Sequence, residues 1–263
     1  MQRSHSMPAP RGHPYGDPAA TGFRHLAGAC AVGGPLVFSA AWLVAWTAQE
    51  TYSPRREDIS ALAALDAQQP WIMISGFLAL ALGLTALGAG LLRTVAGGRP
   101  ARAGALLVVL AGLGILVAGI ARNDCSSELE ACKARIDGGA VSWHHDLHDA
   151  VSGLVFLTLV VAQLVLARAF RRDPYWRRLR AYSIFSGSLT LALLVLFIAG
   201  PIDGWNGLVQ RVFLAVPLVW ITVLGIRLRR LANDHRTLPT SASRGSTARQ
   251  PLGRDGVGLG VGE

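Results

Sequence analysis

Six long apolar runs constrain this chain more than any other feature of it. They cover residues 26–48, 71–92, 103–121, 150–167, 181–202 and 204–226, and the one charged residue inside them is Arg211. A helix rises 1.5 Å per residue, so roughly 20 residues cross the ~30 Å of bilayer hydrocarbon. All six runs qualify, the fourth being the shortest. In lipid the backbone must satisfy its own hydrogen bonds, which leaves helices or closed barrels. Continuous apolar runs lack the alternation of barrel strands. The sequence therefore predicts an all-α polytopic membrane protein, a six-transmembrane-helix bundle occupying residues 25–230.

The polar residues fit that architecture. Charged residues make up 16% of the 263 residues, against about 25% in an average soluble domain. The formal net charge is +9, and Lys133 is the only lysine. This arginine bias suggests a bacterial genome of high GC content. Arg3, Arg11 and Arg24 precede the first run, and Arg93, Arg99 and Arg102 follow the second. Arg168, Arg171, Arg172, Arg177, Arg178 and Arg180 follow the fourth, and Arg227, Arg229, Arg230 and Arg236 follow the sixth. With six spans these all fall on one side. The positive-inside rule makes that side cytoplasmic, with both termini inside a multi-pass plasma-membrane protein. The basic residues lie between spans and not along a soluble groove, so they mark topology and not nucleic-acid binding. Trp46, Trp71, Trp143 and Trp205 fall at the expected outer ends of spans, with Trp42 one turn deeper, as an interfacial belt.

Residues 1–24 and 231–263 are rich in small, polar and basic residues and read as disordered cytoplasmic tails. The first tail and the run after it are too long for a cleaved secretory signal, so the first span is expected to be retained. Gly76, Gly83 and Gly90 recur at heptad spacing, as do Ala105, Gly112 and Gly119. Such stripes let helices approach closely, and the short loop between spans two and three predicts that they pack on each other. Pro201-Ile202-Asp203-Gly204 reads as a turn that makes spans five and six neighbours. In the first outer loop, Tyr52-Ser53-Pro54 reads as a turn. Asp58 is placed to cap a short helix with Ile59, Leu62 and Leu65 on one face, turned to lipid or to the bundle mouth. An irregular loop is the alternative.

Reactive residue types concentrate in residues 123–149. Cys125 and Cys132 lie on the expected outer, oxidising side, where a disulfide is the first reading; metal ligation and free thiols are the others. Cys30 reads as a packing residue within a span. His144 and His148 are one turn apart if the helix starts by Trp143, and His145 pairs with Asp149 in the same way. Histidines at this spacing chelate zinc when a third ligand joins them, and Asp124 is the natural candidate. A polar cap with His148 hydrogen-bonded to Asp124 is the plainer reading. Arg211 lies inside the sixth span, where a charge must be paired or hydrated. It reads either as one half of a structural ion pair, with Asp203, Asp124, Asp146 or Asp149 in reach, or as a clamp for a lipid phosphate or carboxylate.

Several of these features together resemble a bacterial six-span membrane family known as domain of unknown function nine-nine-eight. They are Tyr52-Ser53-Pro54, the run from Asp58 to Ala64, Trp71 with Gly76-Phe77, Asp124, His148, and Gln210-Arg211. The resemblance covers about residues 26–230. The cysteine pair and the triple histidine are more elaborate than the family's acid and single histidine. What the resemblance implies is architecture, since the family carries no established activity.

Three functional readings follow. The first is a non-enzymatic protein with an outer-facing polar cavity for a lipid headgroup or small ligand, with Arg211, Asp203 and Asp149 as ligand-binding candidates. The second is a metal-assisted hydrolase with Asp124 and His148 as catalytic candidates and zinc on His144, His148 and Asp124. The third is a small transporter. The expected partners are membrane lipids, another membrane protein or a second copy of the chain.

Overall fold

A computed structural model describes residues 18–200 and 204–234. Its helices are α1 (Pro18–Thr47), α2 (Pro70–Thr94), α3 (Arg99–Ile120), α4 (Glu130–Asp137), α5 (Trp143–Phe170), α6 (Arg180–Ala199) and α7 (Asn206–Asp234). Six of them are long and apolar enough to cross a membrane, α4 being the short exception. Single 3-10 turns occupy Ile59–Ala63 and Arg177–Leu179. No strand occurs among the described residues.

Local chemistry sets the helix ends. Pro70 and Pro100 stand in the first turns of α2 and α3, where a missing N–H costs nothing. Ser142 caps α5, its hydroxyl accepting from the His145 N–H at 3.4 Å. That cap starts the helix at Trp143, seven residues before the expected fourth run, and so carries all three histidines onto α5. Gly200 ends α6 in the left-handed conformation, φ 54°. The Asp203 turn, the first tail through residue 17 and the second tail from residue 235 lie outside the described residues; 18–24 and 231–234 are helical.

The six long helices form a closed ring in which each packs on two neighbours, in the order α1, α2, α3, α5, α6, α7 and back to α1. Spans five and six are neighbours, as the sequence predicts. The glycine stripe of α2 is a correction. Gly76 faces Phe38 and Ala41, Gly83 faces Cys30 and Gly34, and Gly90 faces Ala27 and Leu228. The stripe therefore seats α1 and touches α7, whereas Gly112 and Gly119 of α3 do receive α2 at Thr85 and Phe77. A helix has several grooves, and α2, wedged between two neighbours, spends its smallest residues on α1.

The two ends of the ring differ. Both described termini and the arginine-bearing loops share one end, as an even number of spans requires. There Trp176 is fully buried and stacks on Phe170 at 5.4 Å. Asp173 accepts from the backbone of Ala96, Tyr175 and Trp176, tying the two arginine-rich loops together. Leu87, Leu91, Leu166, Leu224 and Leu228 fill the ring above this plug. The opposite end is roofed by the α1–α2 loop. Ile59 and Leu62 are buried, so the short segment faces the bundle mouth. It is a 3-10 turn rather than an α-helix; Asp58 makes no cap bond and Leu65 is exposed. Three residues per turn align 59 with 62, but the turn ends before 65.

Candidate functional site

The roof is sewn to α7. The N–H groups of Gly207 and Leu208, which have no partner inside their own helix, donate to the carbonyls of Arg56 and Arg55 at 3.1 Å each. Gln210 Oε1 accepts from the Ile59 N–H at 2.8 Å. Arg211 Nη1 donates to the carbonyls of Glu57 and Gly207 at 3.0 and 2.7 Å, and Nη2 to the Tyr52 hydroxyl. Tyr52 in turn donates to the carbonyls of Glu57 and Asp58, and burial pushes its hydroxyl pKa up to about 12. A Cβ on Gly207 would meet the Glu57 carbonyl oxygen at 2.4 Å, so only glycine lets the roof lie this close. Arg122 fixes the other end of the segment, donating to the carbonyls of Ala63 and Ala64 at 2.7 Å each. Arg211 thus meets its demand for partners mainly with backbone carbonyls, not with a carboxylate.

The stretch that concentrates histidine and cysteine is a second fastening. Asp124 is 8% exposed. It accepts from the Ser142 N–H and hydroxyl at 2.8 and 2.6 Å and from Arg135 at 3.0 Å. Burial alone would raise its pKa, but the Ser142 hydrogen bonds and the charges of Arg135 and His144 hold its carboxyl below the usual value. His144 Nδ1 meets the Arg122 carbonyl at 2.6 Å, and His148 Nδ1 meets those of Ala118 and Ala121 at 2.8 Å each. These carbonyls belong to the last turn of α3 and the residues just past it, so the histidines serve acceptors that the helix end leaves open. His145 Nδ1 accepts from the Asp124 N–H at 3.1 Å, and its Nε2 lies 3.6 Å from Asp149. The sulfur atoms of Cys125 and Cys132 are at disulfide distance, 2.01 Å.

The candidates are therefore divided. Asp124 approaches His144 at 3.7 Å, but His148 bonds to α3 carbonyls instead of Asp124. Among the described residues no three His, Cys, Asp or Glu side chains converge to hold a metal ion. His144 borders a groove on the outside of α3 and α5, while His148 borders the interior.

That interior is a cavity of about 450 Å³ to which all six long helices contribute. Phe38, Phe77, Phe156, Leu214 and Ile221 make its apolar wall. Asp58, Ser60, Asn123, Ser127, His148, Asp149 and Gln210 make its polar top. Gly153, Leu157 and Ile198 line it and are also exposed, so among the described residues it opens sideways between α5 and α6. Asp58 is the unusual member. Its Oδ1 is buried without a donor. Burial first, and the nearby Glu128, Asp149 and Glu57 charges after it, push its pKa up to about 7 against the partial opposition of Arg211. Asn123 is 6% exposed, and its Oδ1 also lacks a donor.

Sequence reasoning named Asp149 and His148, which line this cavity. It passed over Asn123 and took Asp58 for a helix cap. The legible signal was a carboxylate directly before an apolar outer-loop segment, a segment that must bury its face somewhere. Arg211 does not line the cavity, and Asp203 lies outside the described residues.

No curated protein matches the chain, and no solved structure does. The model of a family described as "Protein of unknown function (DUF998)" matches residues 31–227, about three quarters of the chain. The residues that carry the sequence resemblance meet at one end of the ring: Tyr52 and Arg211 in the roof clamp, Gln210 on Ile59, Asp124 and His148 at the end of α3. This six-helix membrane protein belongs to that family.

Proposed function

We propose that the protein is an integral membrane binding protein that seats one amphiphilic ligand, a lipid or a lipid-like small molecule, in the axial cavity. The roof lies on the outer face of the plasma membrane in this reading, because the arginine loops occupy the other end. The observation that carries it is the cavity itself. Its volume of about 450 Å³ falls within the roughly 300–1,000 Å³ of small-molecule sites. Apolar walls suit a tail, the polar top suits a head, and the gap between α5 and α6 gives a route from the bilayer. The ring's other end is filled by Trp176 and its neighbours, so the site is served from one end.

Gly153 supplies the test. A Cβ there meets no heavy atom within 4 Å, and the residue lines the cavity. Gly153→Leu therefore places a side chain in the lateral opening of the cavity between α5 and α6, and it also gains about 0.5–1 kcal/mol of helix propensity. Native mass spectrometry of protein extracted in mild detergent should find a bound amphiphile on the wild type and none on Gly153→Leu of equal or higher Tm. The same adduct on both, or on neither, removes the proposal.

A further inference from the structure

The polar top of the cavity is one-sided in its chemistry. Among the described residues two carboxylates, Asp58 and Asp149, line it, and no Arg or Lys does. Arg122 and Arg211 Nη1 are engaged with roof carbonyls and Arg135 with Asp124, and the Arg211 charge offsets that of Asp58 only in part. Asn123 gives an independent sign of an absent ligand. It is 6% exposed, it lines the cavity, its amide N–H reaches toward Asp149 at 3.4 Å, and its Oδ1 has no donor. Asp58 Oδ1 is in the same condition. His148 lines the same polar top, with Nδ1 donating to two carbonyls so that Nε2 is the ring nitrogen left for the cavity. Buried acceptors left without donors cost free energy, and a set of them around one cavity calls for a donor-rich group.

From this geometry we infer that the ligand's head is a hydrogen-bond-donating cation, a primary ammonium on an apolar tail, held by Asp58, Asn123 and Asp149. The inference rests on the binding reading above and deepens it. An ammonium brings three N–H donors and a charge opposite to the two carboxylates. A phosphate or carboxylate head would meet two acidic side chains and, among the described lining residues, no cation. The shared chemistry admits two sources, an aminophospholipid of the bilayer or a free long-chain amine.

Equilibrium binding of radiolabelled decylamine to the full chain in phosphatidylcholine nanodiscs tests this, with empty nanodiscs and Gly153→Leu protein as blanks. Saturable binding is expected, with unlabelled decanoate competing at least about tenfold more weakly than unlabelled decylamine. Asp58→Asn and Asp149→Asn should each weaken decylamine about tenfold and leave competition by decanol unchanged. Asp149 is exposed enough that its variant keeps the test open if Asp58→Asn misfolds. Displacement by phosphatidylethanolamine added to the nanodiscs assigns the lipid source, and its absence the free amine. Decanoate binding as tightly as decylamine, or affinity unmoved in both variants, overturns the ammonium head alone. If decylamine, and decanol and decanoate radiolabelled in the same way, all fail to bind above the blanks, the binding reading falls with it.

Discussion

The Asp124 cluster and the roof of the cavity are built from the same residue types, at the same end of the ring, one loop apart. Around Asp124 both carboxylate oxygens have donors, and the Nδ1 atoms of three histidines are spent on backbone groups at and beyond the end of α3, with His145 Nε2 left buried 3.6 Å from Asp149. Around Asp58 the accounting fails: Asp58 Oδ1 and Asn123 Oδ1 are buried with no donor. The first arrangement holds a loop to a helix end. The second leaves capacity for something that enters the cavity. Unmet hydrogen-bonding demand that faces a cavity, rather than the density of histidine, cysteine and carboxylate, separates a fastening from a candidate site.

The comparison breaks most visibly at Asp124. Asp124→Ala strands the Ser142 and Arg135 donors and should cost about 2–3 kcal/mol of stability, read as a lower Tm in thermal unfolding of the nanodisc-embedded protein. Because the folded carboxyl is held below 3.8, its contribution is full above that pH and is lost as the pH falls through the lower folded value. An alanine variant as stable as the wild type at neutral pH would mean that the cluster fastens nothing.

A second strain on the same loop is smaller. Cys125→Ser with Cys132→Ser opens a link between positions seven apart and should cost about 2 kcal/mol. Combined with Asp124→Ala the loss should fall short of the sum, since both hold one loop. Full additivity would show the two to be independent.

Asp58 should move with the opposite sign. Its carboxyl titrates at about 7 when folded, against 3.8 in the free chain. A raised acid pKa means that stability is full below 3.8, declines as the pH rises toward 7, and levels above it. Asp58→Asn removes that decline. The variant should match the wild type at pH 4 and melt higher at pH 8, so a lower Tm at pH 8 would make Asp58 another fastening.

Much of the architecture was legible because lipid imposes simple rules on sequence. Six apolar runs, an excess of arginine at one end and exposed Trp46, Trp71, Trp143 and Trp205 at the other each follow from transfer free energies that act residue by residue. What could not be read was which groove a residue faces. Gly83 carries the same heptad signal whether it seats α1 or α3. The partners of the candidate residues were hidden for a related reason. Histidines at i, i+4 spacing look like ligands until the carbonyls beyond Ala118 are placed beside them. Asp58 looks like a cap until the roof is folded over the ring. Partners brought from distant parts of the chain, such as Gln210 for Ile59 or Arg211 for Tyr52, leave no local pattern.

The central claim is that the axial cavity, and not the Asp124 cluster beside it, is where a ligand sits. Photolabelling with an alkylamine carrying a terminal diazirine, mapped by peptide mass spectrometry, addresses it directly. The account predicts labels on the cavity wall, at Phe156, Leu214 or Leu218, suppressed by excess decylamine and lost in Gly153→Leu. Labels spread over outward residues such as Leu78 and Leu110, unaffected by that substitution, would contradict it.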